Sequence, residues 1–325
     1  MQAKSELKPL LYSAVVFVSL FFIADRAIGY YLKQLYFKQK KGDYYETTYA
    51  LKHVKEDVLI FGSSRAVRHY DPVILADSLQ LSAFNVGKLG NTLLYSDALF
   101  SQILTFHKPK MVILDISPIE FAATERARGQ KSMMNVLLKY HDLPVIEDKI
   151  SQLNKRELLL SKLFWTYEFN SSIYTMLVND QGKSKLDLNK GFSARKGTKI
   201  SSTEVREDNN DYVEDPLMVQ TFENFLTKAK KNNIQVHVII SPTTLNQSKT
   251  SVAKIKAITG KFGFDFIDIS RRPEFNAVSL YYDQTHLNEA GAAQFSRLVG
   301  DILNQPGTVS ASNTKETGDD FLKKG

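Results

Sequence analysis

Five short apolar runs, 57–62 (DVLIFG), 82–86, 110–116 (KMVILDI), 234–241 (IQVHVIIS) and 264–269, stand between stretches of helical periodicity at 72–80, 92–106, 213–232, 247–260 and 288–303. Unbroken runs of this length read as strands covered on both faces, and regular alternation of strand with helix builds a parallel sheet between two helical layers. The chain therefore predicts an α/β fold, a doubly wound sheet of five parallel strands. In the 92–106 stretch Leu93, Leu94, Ala98, Leu99 and Leu104 share a face; in 288–303 Asn288 is the expected N-cap and Ala292, Phe295, Leu298 and Val299 face the sheet. Ligands of such sheets lie beyond the carboxyl ends of the strands, so the loops at that edge are where chemistry is expected.

Between the third and fourth runs, 121–212 is too long for one crossover. Its first part, 132–178, reads as helices rich in Leu and Phe and carrying Trp165; 179–210 reads as a polar loop, and the whole as a helical cap over the site, with an inert surface insertion as the alternative. The tail, 305–325, has the composition of a disordered segment. At the other end, 10–24 carries no charge and continues through Asp25 and Arg26 into 27–32. A spanning helix needs about 17–25 residues, which puts Asp25 and Arg26 at the membrane interface with Tyr30 and Tyr31 as aromatic anchors. A retained anchor is favoured over a cleaved signal peptide, because Ala24 is followed by Asp25 and Arg26 and no small-x-small site is evident. This divides the chain into a cytoplasmic stub and anchor (1–32), a linker (33–56) and an α/β domain (57–304). Lysines and arginines flank the anchor on both sides and are more numerous after it, so charge alone would allow a cytoplasmic domain; the lack of cysteine and the chemistry argued below favour an extracytoplasmic one.

Having no cysteine excludes disulfides, thiolate metal sites and a cysteine nucleophile, and leaves Ser, His and carboxylates to do chemistry. The net charge of +7 comes without a nucleic-acid-binding motif or basic helix, so no nucleic acid is expected, whereas an acidic surface polymer or an anionic lipid headgroup fits the charge. His237 alternates within an apolar run and reads as a core residue; His53, His69, His107 and His141 have no partner at metal-ligand spacing, so no metal is expected, and no cofactor. A nucleotide-binding module is disfavoured because the first turn has neither a Walker lysine nor GxGxxG.

Three loops carry the candidate chemistry. After 57–62, Gly62-Ser63-Ser64-Arg65 puts a serine on a tight turn that opens a helix, where free backbone N–H groups favour developing negative charge. A Gly-Ser-Ser turn is also a common phosphate-binding or purely structural turn. Before 288–303, Asp283 and His286 stand three apart on a loop and can face one another, the carboxylate fixing the tautomer of an imidazole that accepts a proton. A capped loop with a surface histidine is the bland alternative. After 82–86, Asn85-Val86-Gly87-Lys88-Leu89-Gly90-Asn91-Thr92 lets backbone N–H groups approach a bound group, or is a simple turn. All three converge on one sheet edge, and that conjunction favours chemistry.

Over most of 57–303 these blocks resemble the SGNH or GDSL hydrolases, whose doubly wound sheet is flavodoxin-like. Phe61-Gly62-Ser63-Ser64-Arg65 is similar to their FGDSL block, with Ser64 at the nucleophile and Ser63 in place of Asp. Asn85-x-Gly87-x-x-Gly90-x-Thr92 resembles the second block, which implies oxyanion N–H groups from Ser64 and Gly90; Asp283 and His286 match the DxxH block. The third block, usually Gly-x-Asn-Asp, reads Ser117-Pro118-Ile119-Glu120 here, so Ile119 stands where an oxyanion Asn is expected. A lost donor of that kind costs about 10²–10³ in rate, and Ser117 is the candidate substitute. The resemblance implies a serine ester hydrolase or acyltransferase in which Ser64 attacks an acyl group, acetyl foremost, and His286 relays the proton. Arg65 and Arg68 are candidates to hold a carboxylate or phosphate of the acceptor, or form a solvated helix face. With a membrane segment ahead of it, the chain is similar to tethered SGNH proteins of teichoic acid D-alanylation and alginate O-acetylation, which work beside multi-pass membrane-bound O-acyltransferases. The expected partners are therefore a cell-surface glycan or polymer, such an acyltransferase, and the membrane. A non-catalytic scaffold that binds polysaccharide or the membrane acyltransferase is the alternative, motivated by the missing Asn.

Overall fold

The computed structural model describes residues 3–170, 172–180, 188–202 and 213–305. About half of the loop expected at 179–210 (181–187 and 203–210) and nearly all of the tail expected at 305–325 lie outside those residues.

A single helix, α1 (Ala3–Phe37), and a short one, α2 (Asp43–Lys52), precede the sheet. There follow β1 (Val58–Phe61), α3 (Ser64–His69), α4 (Pro72–Leu79), β2 (Ala83–Asn85), α5 (Leu93–Ile103) and β3 (Met111–Asp115). The insertion supplies α6 (Ala123–Leu137), α7 (Pro144–Leu163) and α8 (Ile173–Asp180). The chain then completes the sheet with α9 (Pro216–Lys231), β4 (Gln235–Ile240), α10 (Lys249–Lys261), β5 (Asp265–Asp268) and α11 (Glu289–Asn304). The strand order is β2-β1-β3-β4-β5, and every pairing is parallel, with Val58 opposite both Ala83 and Met111. This is the doubly wound five-stranded sheet expected from the apolar runs. The chain winds outward from β1 to β2 and then crosses to β3, so the carboxyl ends of β1 and β3 flank the switch point where such sheets open a crevice.

Period two along each strand separates the two cores. Val58, Ile60, Met111, Ile113 and Ile239 pack with Ala66, Leu75, Phe295 and Val299 of α3, α4 and α11. On the other face Leu59, Phe61, Val112, Leu114 and Val238 pack with α5 and α9, where Phe61 lies 5.5 Å from Phe100 and 5.3 Å from Phe225 between ring centroids. The helices of the insertion are added to this second layer: α6 and α7 pack on α5, and α8 packs on α1. The stretch 188–202 lies beside the site described below.

Residues 33–56, expected as a linker, are folded into the domain. Helix α1 continues to Phe37, and Leu35, Tyr36, Ala50, Leu51 and Val54 are buried in the larger core. Tyr36 stacks near Tyr44 and Phe37, and its hydroxyl meets that of Tyr140 at 3.2 Å, which in turn meets Thr48 Oγ1 at 2.7 Å. Lys88, on the loop after β2, reaches back to α2, with Nζ 2.7 Å from Asp43 Oδ2 and donating to Thr47 Oγ1 at 2.6 Å. The stretch looks polar because Tyr36, Thr47 and Tyr49 are interleaved with its aliphatic core residues, burying a ring or methyl while their hydroxyls find partners. Its apolar periodicity is correspondingly diluted.

Among the described residues, Lys8–Phe37 is the one helix long and apolar enough to cross a membrane. Side chains from Leu10 to Ile23 are largely exposed, whereas Leu32, Leu35 and Tyr36 are buried, so the helix projects from the domain. Tyr36→Ala is expected to destabilise the full chain by about 3 kcal/mol, in line with truncating a buried aromatic. Urea unfolding in detergent measures this; a cost under about 1 kcal/mol would mean that α1 is only loosely attached.

Candidate active site

The turn out of β1 sets the position of Ser64. Gly62 adopts a φ of 141°, and a Cβ there would lie 2.7 Å from the Asp115 carbonyl oxygen and 2.9 Å from Ala66 Cβ, so only glycine carries β1 this close to the end of β3. Gly62 C=O accepts from Lys88 N–H at 3.0 Å, and a Cβ on Gly87 would lie 2.8 Å from Ala66 Cβ. The loops after β1 and β2 are thus in direct contact. Asn85 braces them: its amide donates to the carbonyls of Ala66 at 2.7 Å and Tyr70 at 3.0 Å, and its Oδ1 accepts from Gly87 N–H. Ser64 opens α3 as its first helical residue behind Ser63. Its N–H lies in the first turn and has no intrahelical acceptor.

The loop 281–288 is held from three sides. Gln284 C=O accepts from Thr244 N–H and from the hydroxyls of Thr243 and Thr244 after β4. Leu287 N–H donates to His69 Nε2 of α3 at 3.0 Å. Asn288 caps α11 by accepting from Gly291 N–H and donates its amide to Ser279 C=O. Within this frame Asp283 Oδ1 accepts from the N–H groups of Thr285 and His286, both at 2.9 Å, which aims the carboxylate at His286 Nδ1.

His286 Nδ1 lies 2.9 and 3.0 Å from the two Asp283 oxygens, and His286 Nε2 lies 2.8 Å from Ser64 Oγ. With Nδ1 protonated toward the carboxylate, Nε2 is the acceptor for the serine hydroxyl. Burial tends to raise the Asp283 carboxyl, but the bonds from His286 and Thr285 outweigh it and hold the group below its ordinary value. Burial depresses His286, Asp283 pulls it up, and Arg68 and Arg65 push it down, with a net shift below the ordinary histidine value. The imidazole is therefore neutral at neutral pH, the form that accepts a proton.

The two candidate acceptor-binding arginines are turned inward. Arg65 is buried, with Nε 3.3 Å from Asp115 Oδ1 and Nη2 donating to Ile116 C=O at 2.8 Å; Tyr70 OH donates to the other Asp115 oxygen. Its guanidinium is engaged in joining α3 to the end of β3, because α3 packs flat on the sheet and residue 65 faces it. Arg68 is also buried and donates to Ser193 C=O at 2.7 Å and to its hydroxyl at 2.9 Å. That bond anchors the 188–202 stretch, whose Arg195 and Lys199 sit over the ring of Tyr282, each 5.0 Å from its centroid. Arg195 C=O also accepts from Glu289 N–H, and Lys199 N–H donates to Tyr282 C=O. Sequence reasoning passed over Arg195, Lys199 and Tyr282 and weighed His69 only as a metal ligand, whereas it supports the His286 loop; nothing local distinguishes them.

Of the three oxyanion candidates, Ser64 offers a first-turn N–H with no acceptor within its helix. Gly90 is exposed at a φ of 71°, with open space where a Cβ would be. Ser117 N–H is engaged, donating to Glu120 Oε1 at 3.2 Å, which leaves its hydroxyl. Ile119 lies in a 3-10 turn, Pro118–Phe121, and is 37% exposed, with no donor to offer from its side chain. Glu120 is buried and also accepts from Leu93 N–H at 2.9 Å, so it ties the end of β3 to α5.

No protein-family model matches the chain, and no curated protein matches it. Among solved structures, the chain is similar to a protein from Desulfitobacterium hafniense DCB-2 described as lipolytic and of the G-D-S-L family. The two are 9% identical, with a TM-score of 0.37, over 76% of this chain and 99% of the other. A likeness of that size carries no argument about activity, which must come from the site's own geometry.

Burial pushes the Glu120 carboxyl up to about 7, against the pull of the Ser117 and Leu93 N–H groups and of Arg65. A carboxyl raised on folding favours the folded chain fully below its unfolded value near 4.3, and that contribution is lost as pH rises through about 7. Glu120→Gln is therefore expected to gain stability relative to the native chain between about pH 5 and about pH 8, by up to about 3 kcal/mol. Urea midpoints across that range test it; a pH-independent difference would mean that Glu120 is ionised throughout.

Proposed function

We propose that the chain is a membrane-anchored serine esterase or O-acyltransferase of SGNH type, acting on acyl esters, acetyl foremost, of a cell-surface glycan or polymer. The observation that carries this reading is the hydrogen-bonded series Asp283, His286, Ser64, with contacts of 2.9 and 2.8 Å between residues from opposite ends of the domain. Ser64 Oγ attacks the acyl carbonyl as its proton passes to His286 Nε2; Asp283 steadies the imidazolium; and the N–H groups of Ser64 and Gly90 receive the oxyanion. His286 then protonates the departing alcohol. In the second half, His286 takes a proton from water or a sugar hydroxyl as its oxygen attacks the acyl carbonyl, and returns that proton to Ser64 Oγ as the bond from Ser64 to the acyl group breaks.

Arg195 and Lys199, over the ring of Tyr282 that precedes Asp283 in the chain, support an anionic acceptor, since neither is ion-paired with a carboxylate among the described residues. A chain anchored by α1 and working on a surface polymer would hold its domain outside the cytoplasm, where a multi-pass O-acyltransferase is the fitting donor. Ile119 favours a second reading, a scaffold that binds polysaccharide or that acyltransferase without turnover, because it supplies no side-chain donor at the third loop.

Detergent-solubilised full chain is expected to react with a fluorophosphonate and to hydrolyse a chromogenic acetyl ester, and Ser64→Ala and His286→Ala abolish both. Folded protein that neither labels nor turns over would favour the scaffold. Asp283→Asn is expected to lower kcat by about 10³–10⁴, the size of effect seen when a triad carboxylate is neutralised. Because neutral His286 is the active form and its value is depressed, the acid limb of kcat/KM should fall below pH ~6.5, the ordinary histidine position. A limb above that pH would mean that another group limits the rate.

A further inference from the structure

The uncharged part of α1 is too short to cross a bilayer unaided. From Pro9 to Ala24 a helix rises only about 24 Å, against a hydrocarbon thickness of about 30 Å. If α1 spans, the turn that follows, with Asp25, Arg26 and Gly29, must also lie at membrane depth. Ionisable groups there are expensive unless they are satisfied by protein. In this structure they are. Asp25 is buried and accepts from Trp165 N–H at 2.8 Å, Thr166 N–H at 3.1 Å and Thr166 Oγ1–H at 2.6 Å. Arg26 pairs with Asp25 at 2.9 Å, donates to Leu163 C=O at 3.0 Å and covers the Trp165 ring at 4.8 Å. Phe164 stacks on Phe22 at 5.8 Å, and Gly29 leaves room for the Trp165 backbone, where a Cβ would meet it at 2.8 Å.

The insertion therefore grips α1 at the depth where the span is still incomplete. On its outer side, the end of α7, the turn at 164–166 and α8 expose Leu159, Leu163, Trp165, Ile173, Tyr174 and Leu177, with Leu159 64% and Tyr174 75% exposed. Lys155 and Arg156 are exposed one turn before Leu159. Apolar and aromatic side chains edged by cations make the composition of a surface lying in the headgroup and acyl boundary.

We propose that this face is a second membrane-contacting element, immersed in the lipid of the leaflet on the domain's side, so that α1 and the α7–α8 turn together hold the domain in a fixed pose on the bilayer. The inference rests on α1 spanning the membrane.

Trp165 is the only tryptophan, so the native chain reports on this face directly. The test reconstitutes the purified full chain into phosphatidylcholine and phosphatidylglycerol vesicles, with or without lipids brominated near the headgroup end of the acyl chains. An interfacial face sits about 5–10 Å into the boundary, so Trp165 emission is expected to be blue-shifted and to lose about half its intensity or more with brominated lipid. Tyr174→Trp in a Trp165→Phe background should be quenched alike, and Val73→Trp on α4 in the same background should not. An alkaline carbonate wash separates the two premises. Protein that stays in the vesicles while Trp165 emits as in water, unquenched, overturns the proposal and assigns the face to a protein partner. Protein that washes off overturns the span itself.

Discussion

Gly62 is the residue on which the site depends, because β1 must turn into α3 while touching the end of β3, and there is no room for a side chain at that turn. The parallel sheet makes the demand: β1 lies between β2 and β3, so the loop leaving it is crowded by both neighbours. Once the turn is made, Ser64 begins a helix in which its N–H has no acceptor, and Asn85, Arg65, Asp115 and Tyr70 fix that helix through buried polar bonds. Buried polar groups are costly when their bonds are lost, so a network of this kind tolerates little displacement. The result is a serine held still against a histidine 222 residues later in the chain.

The same edge is electrostatically divided. Asp283 draws N–H donors and the imidazole around itself and stays ionised, whereas Glu120, equally acidic by nature, is buried behind the third loop and pushed up to about 7. His286 lies between a carboxylate that raises its affinity for a proton and burial with two arginines that lower it, and the second influence prevails. Arg65 and Arg68 thus act on the site from inside the protein, through field and position, while Arg195 and Lys199 present charge at its rim.

Architecture beyond the sheet is built to join the domain to its helix. Tyr36 and its neighbours merge the end of α1 into the core, and the insertion returns to clasp α1 a few turns earlier at Asp25. A helix fixed at two levels cannot swing freely, so the orientation of the domain follows from that of α1. The 164–166 turn and α8 serve this joint, α6 and α7 extend the layer on α5, and the 188–202 stretch serves the site.

The amino-acid sequence alone determined the alternation of strands and helices, the apolar length of α1 up to Ala24, and the order in which Ser64, the Gly87–Gly90 loop and Asp283 with His286 occur. These are local properties: burial on two faces demands unbroken apolar runs, and a turn into a helix demands glycine, serine or asparagine at fixed offsets. Only the tertiary structure decided that Arg65 and Arg68 point inward, that 33–56 belongs to the core, that Arg195 and Lys199 flank Tyr282, and that Asp25 is answered by Trp165 and Thr166. Each of these depends on which distant segment supplies the partner of a polar group. The pattern of neighbours along the chain carries no record of that choice, because a tyrosine, arginine or aspartate reads alike whether its partner is water or a buried donor more than a hundred residues away.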